Sequence, residues 1–161
     1  MLTTSSAVWA LTPEPVDLKF DNRSWKVGWS QEKGAQRMVE WVVDGQTVEN
    51  WKELVTEQFY PNLKGVPPKQ FSEGFLKQLK GASPGVWINQ ISDDGRECII
   101  EWRTINDPQN PPQHEIDRIF SGSEGLHVVH YVVKQAEMPA SERSKWISLL
   151  RSARIAGTAK R

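Results

Sequence analysis

Hydrophobic and polar residues alternate near the start of the chain. Trp25, Val27 and Trp29 are separated by Lys26 and Gly28, and this period of two is typical of a strand that buries one face. A second run of this kind over 35–43 follows a short polar connection. The two runs predict a β-hairpin.

Two helices are predicted to follow the hairpin. The first is predicted over 47–59, because Thr47 can cap its amino end and four apolar residues then recur at helical spacing. These are Val48, Trp51, Val55 and Phe59. The second is predicted over 67–81, where two prolines open the stretch and apolar side chains line one face.

The period returns to two in the second half of the chain. Four strands are predicted there, over 86–92, 97–105, 114–120 and 126–134. An Asp-Gly pair between the first two predicts a tight hairpin. The last strand is apolar on both faces, which is typical of a central strand covered from both sides. A final helix is predicted from Pro139 to about Ile155, just before Gly157.

The predicted order of elements is β-β-α-α-β-β-β-β-α. Because hairpins join most of the strands and a central strand needs cover on both faces, we expect an α+β fold. Its architecture is a three-layer α/β/α sandwich with a mainly antiparallel six-stranded sheet. The single domain spans 18–155, after an N-terminal extension over 1–17 and before a basic C-terminal tail over 156–161.

This order resembles that of the PsbP/Mog-like superfamily, in its DcrB-like bacterial branch. The resemblance covers residues 18–155 and includes the Gly-Gln-Thr-Val-Glu-Asn-Trp helix start at 45–51 and a closing helix that carries Trp146. Most members are binding and assembly factors, so the resemblance implies a non-catalytic binding or chaperone-like module. The superfamily shares no set of functional residues that can be transferred, so the resemblance assigns no site.

Composition narrows the class of protein. The chain has 161 residues, of which 25% are charged and 38% hydrophobic, and these fractions disfavour a disordered, collagen-like or membrane-spanning chain. No apolar run approaches the roughly 20 residues that span a bilayer. Without a basic start before its short apolar patch, the chain is expected to be cytoplasmic. The Val8-Trp9-Ala10 triplet leaves a periplasmic or exported protein open if the true start lies upstream or a signal was removed.

Charge is balanced overall and uneven locally. The chain has 20 basic and 20 acidic residues, and this neutrality argues against nucleic acid as the main partner. Residues 141–161 hold six basic side chains and one acidic. Arg151 and Arg154 are therefore candidates for a contact with an acidic partner or an anionic membrane. The alternative is that they only favour solubility and the carboxyl end of the last helix.

Acidic side chains form the candidate catalytic cluster. Glu97 and Glu101 share a predicted strand face with Arg103, and Glu115 and Asp117 share one on the next strand. A suitable register would bring them together, and paired acids perform general acid-base chemistry. The alternative is a solvated sheet face with cross-strand ion pairs, for instance between Arg103 and Glu115.

Metal and cofactor sites are not predicted. His127 and His130 are three apart on a strand, so they point to opposite faces and cannot share one ion. Cys98 is the only cysteine, which excludes an internal disulfide and a cysteine-based zinc site. Its place beside Ile100 on an apolar strand face indicates core packing.

Eight tryptophans are the unusual feature of the composition. Four are expected to pack helices against the sheet: Trp51, Trp87, Trp102 and Trp146. Trp9, Trp25 and Trp29 are the candidates for a binding surface. The leading hypothesis is a binding module that recognises a protein or an apolar peptide through a tryptophan-rich groove. The alternatives are a small-ligand carrier with an aromatic cavity and a carboxylate-dependent hydrolase.

Overall fold

A computed structural model describes residues 14–157 of the chain. These residues form nine strands, two α-helices and one 3-10 turn. The strands are β1 (Val16–Asp17), β2 (Trp25–Lys33), β3 (Gln36–Val43), β4 (Glu53–Tyr60), β5 (Trp87–Asp93), β6 (Glu97–Thr104), β7 (Gln113–Ser121), β8 (Leu126–Val133) and β9 (Arg154–Ile155). The helices are α1 (Pro68–Ala82) and α2 (Ala140–Ser152), and the 3-10 turn is Pro61–Leu63.

Seven strands form one sheet in the order β2-β3-β4-β8-β7-β6-β5, and every neighbouring pair is antiparallel. The predictions of an α+β fold with a mainly antiparallel sheet are confirmed, as is the central position of the strand predicted over 126–134. The sheet has one strand more than predicted. β1 and β9 add a separate two-stranded sheet that joins the two ends of the described chain.

The helix predicted over 47–59 is wrong, because most of this segment is β4. Val55 and Phe59 are four apart, and an even spacing also places two residues on one face of a strand. Leu54 packs on the opposite face, so β4 is apolar on both sides, and its two edges pair with β3 and β8. Thr47 Oγ1 accepts a hydrogen bond from the Asn50 backbone, but it closes only a turn.

Alternate residues of β6 contact different helices. Cys98 and Ile100 belong to the apolar cluster that includes Phe71 and Phe75 of α1. Ile99, between them, belongs to the cluster formed with α2. Because neighbouring residues of a strand point to opposite faces, the two helices pack against opposite faces of the sheet. Among residues 14–157, no helix is long and apolar enough to cross a membrane.

Gly125, in the turn between β7 and β8, is in very close contact with its neighbours. A Cβ atom there would lie 2.6 Å from the Tyr60 carbonyl oxygen and 2.7 Å from the Phe59 ring. We expect Gly125→Ala to lower the free energy of unfolding by about 1–3 kcal/mol, since an inserted methyl group must displace packed atoms. Urea unfolding followed by circular dichroism measures this change.

Gly74 of α1 provides the matched control, because a Cβ atom there would meet nothing within 4 Å. Gly74→Ala is expected to raise stability by about 0.5–1 kcal/mol through helix propensity. Equal stability of Gly125→Ala and the wild-type protein would contradict the close packing of this turn.

Candidate functional site

Three ionisable side chains meet on the sheet face against which α1 packs. Asp117 on β7 is paired directly with His130 on β8, and Glu115 precedes Asp117 by two residues and so lies on the same face. His130 Nδ1 lies 2.8 Å from Glu115 Oε1 and 3.1 Å from Asp117 Oδ1. One nitrogen and two carboxylate oxygens all lie within 4.8 Å of one another. We call Glu115, Asp117 and His130 the carboxylate–imidazole trio.

The trio is nearly shielded from solvent. The side chains of Asp117, Glu115 and His130 are 3%, 11% and 19% exposed. Burying a charged group is costly unless it is paired, so the imidazole and the two carboxyl groups depend on one another. Buried titratable groups that lie beside a cavity are candidates for a functional site.

Pairing and burial shift the proton affinities of the trio. Burial and the charge of Asp117 raise the pKa of Glu115 to about 8. Burial alone would lower the pKa of His130, but its close pairing with the carboxylates of Asp117 and Glu115 outweighs this effect and raises that pKa to about 10. Both shifts favour the protonated forms of Glu115 and His130.

Neighbouring strands complete the surroundings of the trio. Trp102 Nε1 on β6 donates a 2.9 Å hydrogen bond to Asp117 Oδ2 and so fixes that carboxylate. On the other side, Glu40 of β3 is a further acid whose pKa burial raises and the charge of His130 lowers again in part. Asp117 Oδ1 and His130 Nε2 are buried and have no hydrogen-bond partner in the described structure.

Asp117 and His130 also line a cavity of about 220 Å³. Aromatic side chains of β4 and α1 form much of its wall, with the rings of Tyr60 and Phe71 5.6 Å apart. Gln58 also lines it, and accepts a hydrogen bond from the Tyr60 hydroxyl. The pocket is thus mostly apolar. Asp117 and His130 are the carboxylate and the imidazole of its lining, and we call them its polar end.

A larger cavity, of about 490 Å³, lies at the carboxyl end of α1 and against the loop that follows β6. Its one charged side chain, Asp107, accepts hydrogen bonds from Ser83, Gln109 and Asn110. This carboxylate is therefore used to hold its own loop. We favour the smaller cavity as the functional site, because a carboxylate and an imidazole lie together in its lining.

The predicted gathering of acids is wrong in one respect: Glu101 and Arg103 do not join Glu115 and Asp117. In the β6–β7 register Trp102 is paired with Glu115. The residues on either side of Trp102 therefore point to the opposite face, and Glu97 points there too. The expected ion pair between Arg103 and Glu115 is absent among the described contacts: Arg103 instead lies over the Trp87 ring and pairs with Glu137. The hydrolase hypothesis thereby loses the convergence on which it depended.

Glu101 belongs to a second buried network, on the α2 face. Its carboxylate accepts hydrogen bonds from Arg143 of α2 at 2.5 and 2.7 Å, and lies 2.7 Å from His114 Nε2. His114 Nδ1 accepts from the Met138 backbone N–H, so Nε2 carries the proton and donates to Glu101. Every ring nitrogen of His114 is thus used. This network attaches α2 to the sheet and has no group left for a ligand.

The three candidate tryptophans do not form one surface. Trp25 packs against Phe20 and Trp146 and donates to Asp21, so it belongs to the α2 face. Trp29 is 38% exposed and lies on the other face, because a β-bulge at Gly28 breaks the period of two. Trp9 lies outside the described residues.

The candidate arginines lie at the carboxyl end of α2. Arg154 Nη1 donates to the backbone carbonyls of Arg151 and Ala153. Arg151 is exposed in the last helical turn. Both positions suit the negative end of the helix dipole, which is the alternative stated for them.

His130 is the functional residue that the sequence analysis left without a role. The expectation that it points away from His127 is confirmed, since His127 stacks on Phe120 and contacts Glu14 on the other face. The signal that could have found its partners is the short turn over 122–125. Counting outward from that turn pairs Asp117 with His130.

Known proteins give no guide to the identity of this site. Comparison of the chain with protein-family models, curated proteins and solved structures finds no match.

Proposed function

We propose that this protein binds a small, mostly apolar organic molecule in the pocket beside the trio. One observation carries the proposal: Asp117 and His130 line an aromatic-walled cavity, and each has a buried polar atom, Oδ1 and Nε2, without a hydrogen-bond partner. Apolar walls with a few converging polar groups are the usual form of a small-molecule site. This function is the small-ligand carrier that the sequence analysis gave as an alternative.

The polar end of the pocket suggests the chemistry of the ligand. Asp117 Oδ1 can accept a hydrogen bond, and the protonated His130 can donate one through Nε2. A hydroxyl or primary amide group both donates and accepts, so either would satisfy the two atoms at once. Leaving a buried polar atom unpaired costs about 1–3 kcal/mol. A ring-sized alcohol, phenol or amide is therefore the favoured class.

Blocking the pocket tests this proposal. We expect phenols and small aromatic amides to bind the wild-type protein saturably in ligand-observed NMR. Gln58, half-buried at the pocket wall, can be enlarged without entering the core. Gln58→Phe is expected to weaken binding at least about tenfold, because the added ring occupies the space of the ligand.

Gln36→Phe, at an exposed position of β3, is the matched control and should bind as the wild type does. Fragments that bind Gln58→Phe and the wild-type protein equally well would refute the pocket. The absence of binding by every fragment of the panel would also refute the pocket.

A protein or peptide partner is the second candidate function, in keeping with the resemblance to PsbP/Mog-like binding factors. Val27 and Trp29 are 56% and 38% exposed on β2, which is an edge strand of the sheet. An exposed apolar edge can pair with an extended peptide. The α/β/α layering proposed with this resemblance is supported by the opposite packing of α1 and α2. This candidate would be favoured if the wild-type protein selected extended peptides from a peptide library and bound none of the small-molecule fragments.

A further inference from the structure

The trio has the spacing of a metal coordination sphere. Ligand atoms about 2.1 Å from a metal ion lie about 3.0–3.4 Å apart in octahedral or tetrahedral geometry. The separations from His130 Nδ1 are 2.8 Å to Glu115 and 3.1 Å to Asp117. The three donor atoms therefore need only small movements to surround one ion.

The Asp117 carboxylate supplies a second, independent observation. Its side chain is 3% exposed, yet Oδ1 accepts no hydrogen bond and faces the trio. Its other oxygen is held by Trp102 Nε1, in the way that outer partners orient metal-binding carboxylates. The only positive group beside Oδ1 among the described contacts is the His130 ring, 3.1 Å away, and a fixed, buried carboxylate oxygen without a hydrogen-bond donor is suited to bind a cation.

The second buried network shows what a filled arrangement looks like. There, the guanidinium of Arg143 occupies both oxygens of Glu101, and the backbone of Met138 occupies the free nitrogen of His114. No arginine or lysine performs this role for the trio among the described contacts of Glu115 and Asp117. The imidazole of His130 is the only positive group paired with these two carboxylates among the described contacts, and a metal ion would take the place of its proton.

We propose that Glu115, Asp117 and His130 bind one divalent first-row metal ion such as Zn²⁺. On binding, the ion replaces the Nδ1 proton of His130, and any proton on Glu115, and these protons pass to solvent. A mixed set of one imidazole and two carboxylates suits such ions better than Ca²⁺ or Mg²⁺, which favour oxygen ligands alone. Asp117 and His130 also line the pocket, and the remaining coordination positions are left for water or a ligand group.

Direct titration tests the site. The tag-free full chain is treated with a chelator, dialysed, and titrated with Zn²⁺ by calorimetry. We expect one ion per chain. Asp117→Asn keeps the size of the side chain and an acceptor for Trp102, and is expected to weaken binding by more than about tenfold, as is His130→Gln. Glu137 is an exposed acid that pairs with Arg103 and is not part of the trio. Glu137→Gln is therefore the matched control and should bind Zn²⁺ as the wild type does.

Cobalt gives a readout that a merely structural effect would not change. Co²⁺ bound to nitrogen and carboxylate ligands absorbs visible light, and we expect this absorption in the wild-type protein and its loss in Asp117→Asn. Circular dichroism tests whether each variant is folded, and Glu115→Gln replaces any variant that is not. Failure to bind Zn²⁺ in a one-to-one ratio, or equal binding by the folded trio variants, would overturn the proposal.

The metal site does not rest on the organic ligand proposed above. Gln58→Phe fills the pocket and leaves the trio intact, so it should bind Zn²⁺ with wild-type stoichiometry while it loses the fragments. Fragment binding measured in the presence of a chelator then tests the pocket alone. The two proposals can therefore fail separately.

Discussion

Glu101→Gln should lower the free energy of unfolding by about 3–5 kcal/mol, the range for breaking a buried ion pair from one side. The Glu101 side chain is 1% exposed and is bonded to both Arg143 and His114. A glutamine removes the charge and turns an amide donor toward groups that are themselves donors. Chemical denaturation at pH 7 measures the loss.

Acidification offers an independent check on Glu101. Burial alone would raise its pKa, but the hydrogen bonds from Arg143, Asn89 and His114 outweigh burial and lower the pKa from 4.5 to about 2. A lowered pKa stabilises the folded state above about pH 4.5, and this contribution is lost as the pH falls toward 2. The stability difference between the wild type and Glu101→Gln should therefore shrink over that window.

Glu137→Gln is the matched control for this change, because Glu137 is also paired with an arginine but its side chain is 74% exposed. Its effect should stay within about 0.5 kcal/mol. If Glu101→Gln were no more harmful than Glu137→Gln, the buried network would not be what attaches α2 to the sheet.

Trp146→Ala should cost about 3–5 kcal/mol, the range for truncating a buried tryptophan. Trp146 is 1% exposed, its indole stacks on Tyr131 with 3.9 Å between ring centroids, and the edge of Trp25 approaches it at 5.5 Å. Removing the indole leaves a cavity between α2 and the sheet. Urea unfolding measures the loss, and near-ultraviolet circular dichroism reports the broken aromatic packing.

Two further variants sharpen this result. Trp146→Phe should cost clearly less than Trp146→Ala, because the ring stacking is kept and Nε1 has no hydrogen-bond partner to lose. Trp87→Ala, at a position that is 40% exposed and covered by Arg103, should cost about 1 kcal/mol. Comparable losses for Trp87→Ala and Trp146→Ala would contradict the assignment of Trp146 to the core.

Local patterns predicted most of the elements, and the failures have physical causes. Strands with a period of two and helices opened by prolines were found where expected, as in β2 and α1. The error at β4 arose because a strand that is buried on both faces has no period of its own. The bulge at Gly28 left no mark in the pattern, since glycine is compatible with either register.

The sequence predicted two of the three residues of the candidate site. The expectation that Glu115 and Asp117 share a face is confirmed, since both belong to the trio. Their partner His130 was missed because it comes from another strand, and its pairing with Asp117 follows only when the two strands are aligned from the turn over 122–125. The pocket depends on β4, which was predicted as a helix, so it could not have been found.

The order of the strands divides the sheet into two meanders, and one long-range pairing joins them. Strands β2 to β4 and β5 to β8 each pair with their neighbours in sequence, but the β4–β8 contact joins residues more than sixty positions apart, such as Thr56 and His130. Closing so long a loop costs conformational entropy before the two strands can pair, and this slows folding. The trio lies within the β7–β8 hairpin, whereas the pocket also needs β4. The residues proposed to bind the metal ion therefore come together once the β7–β8 hairpin has formed. The pocket proposed to bind an organic ligand is complete only after β4 has paired with β8.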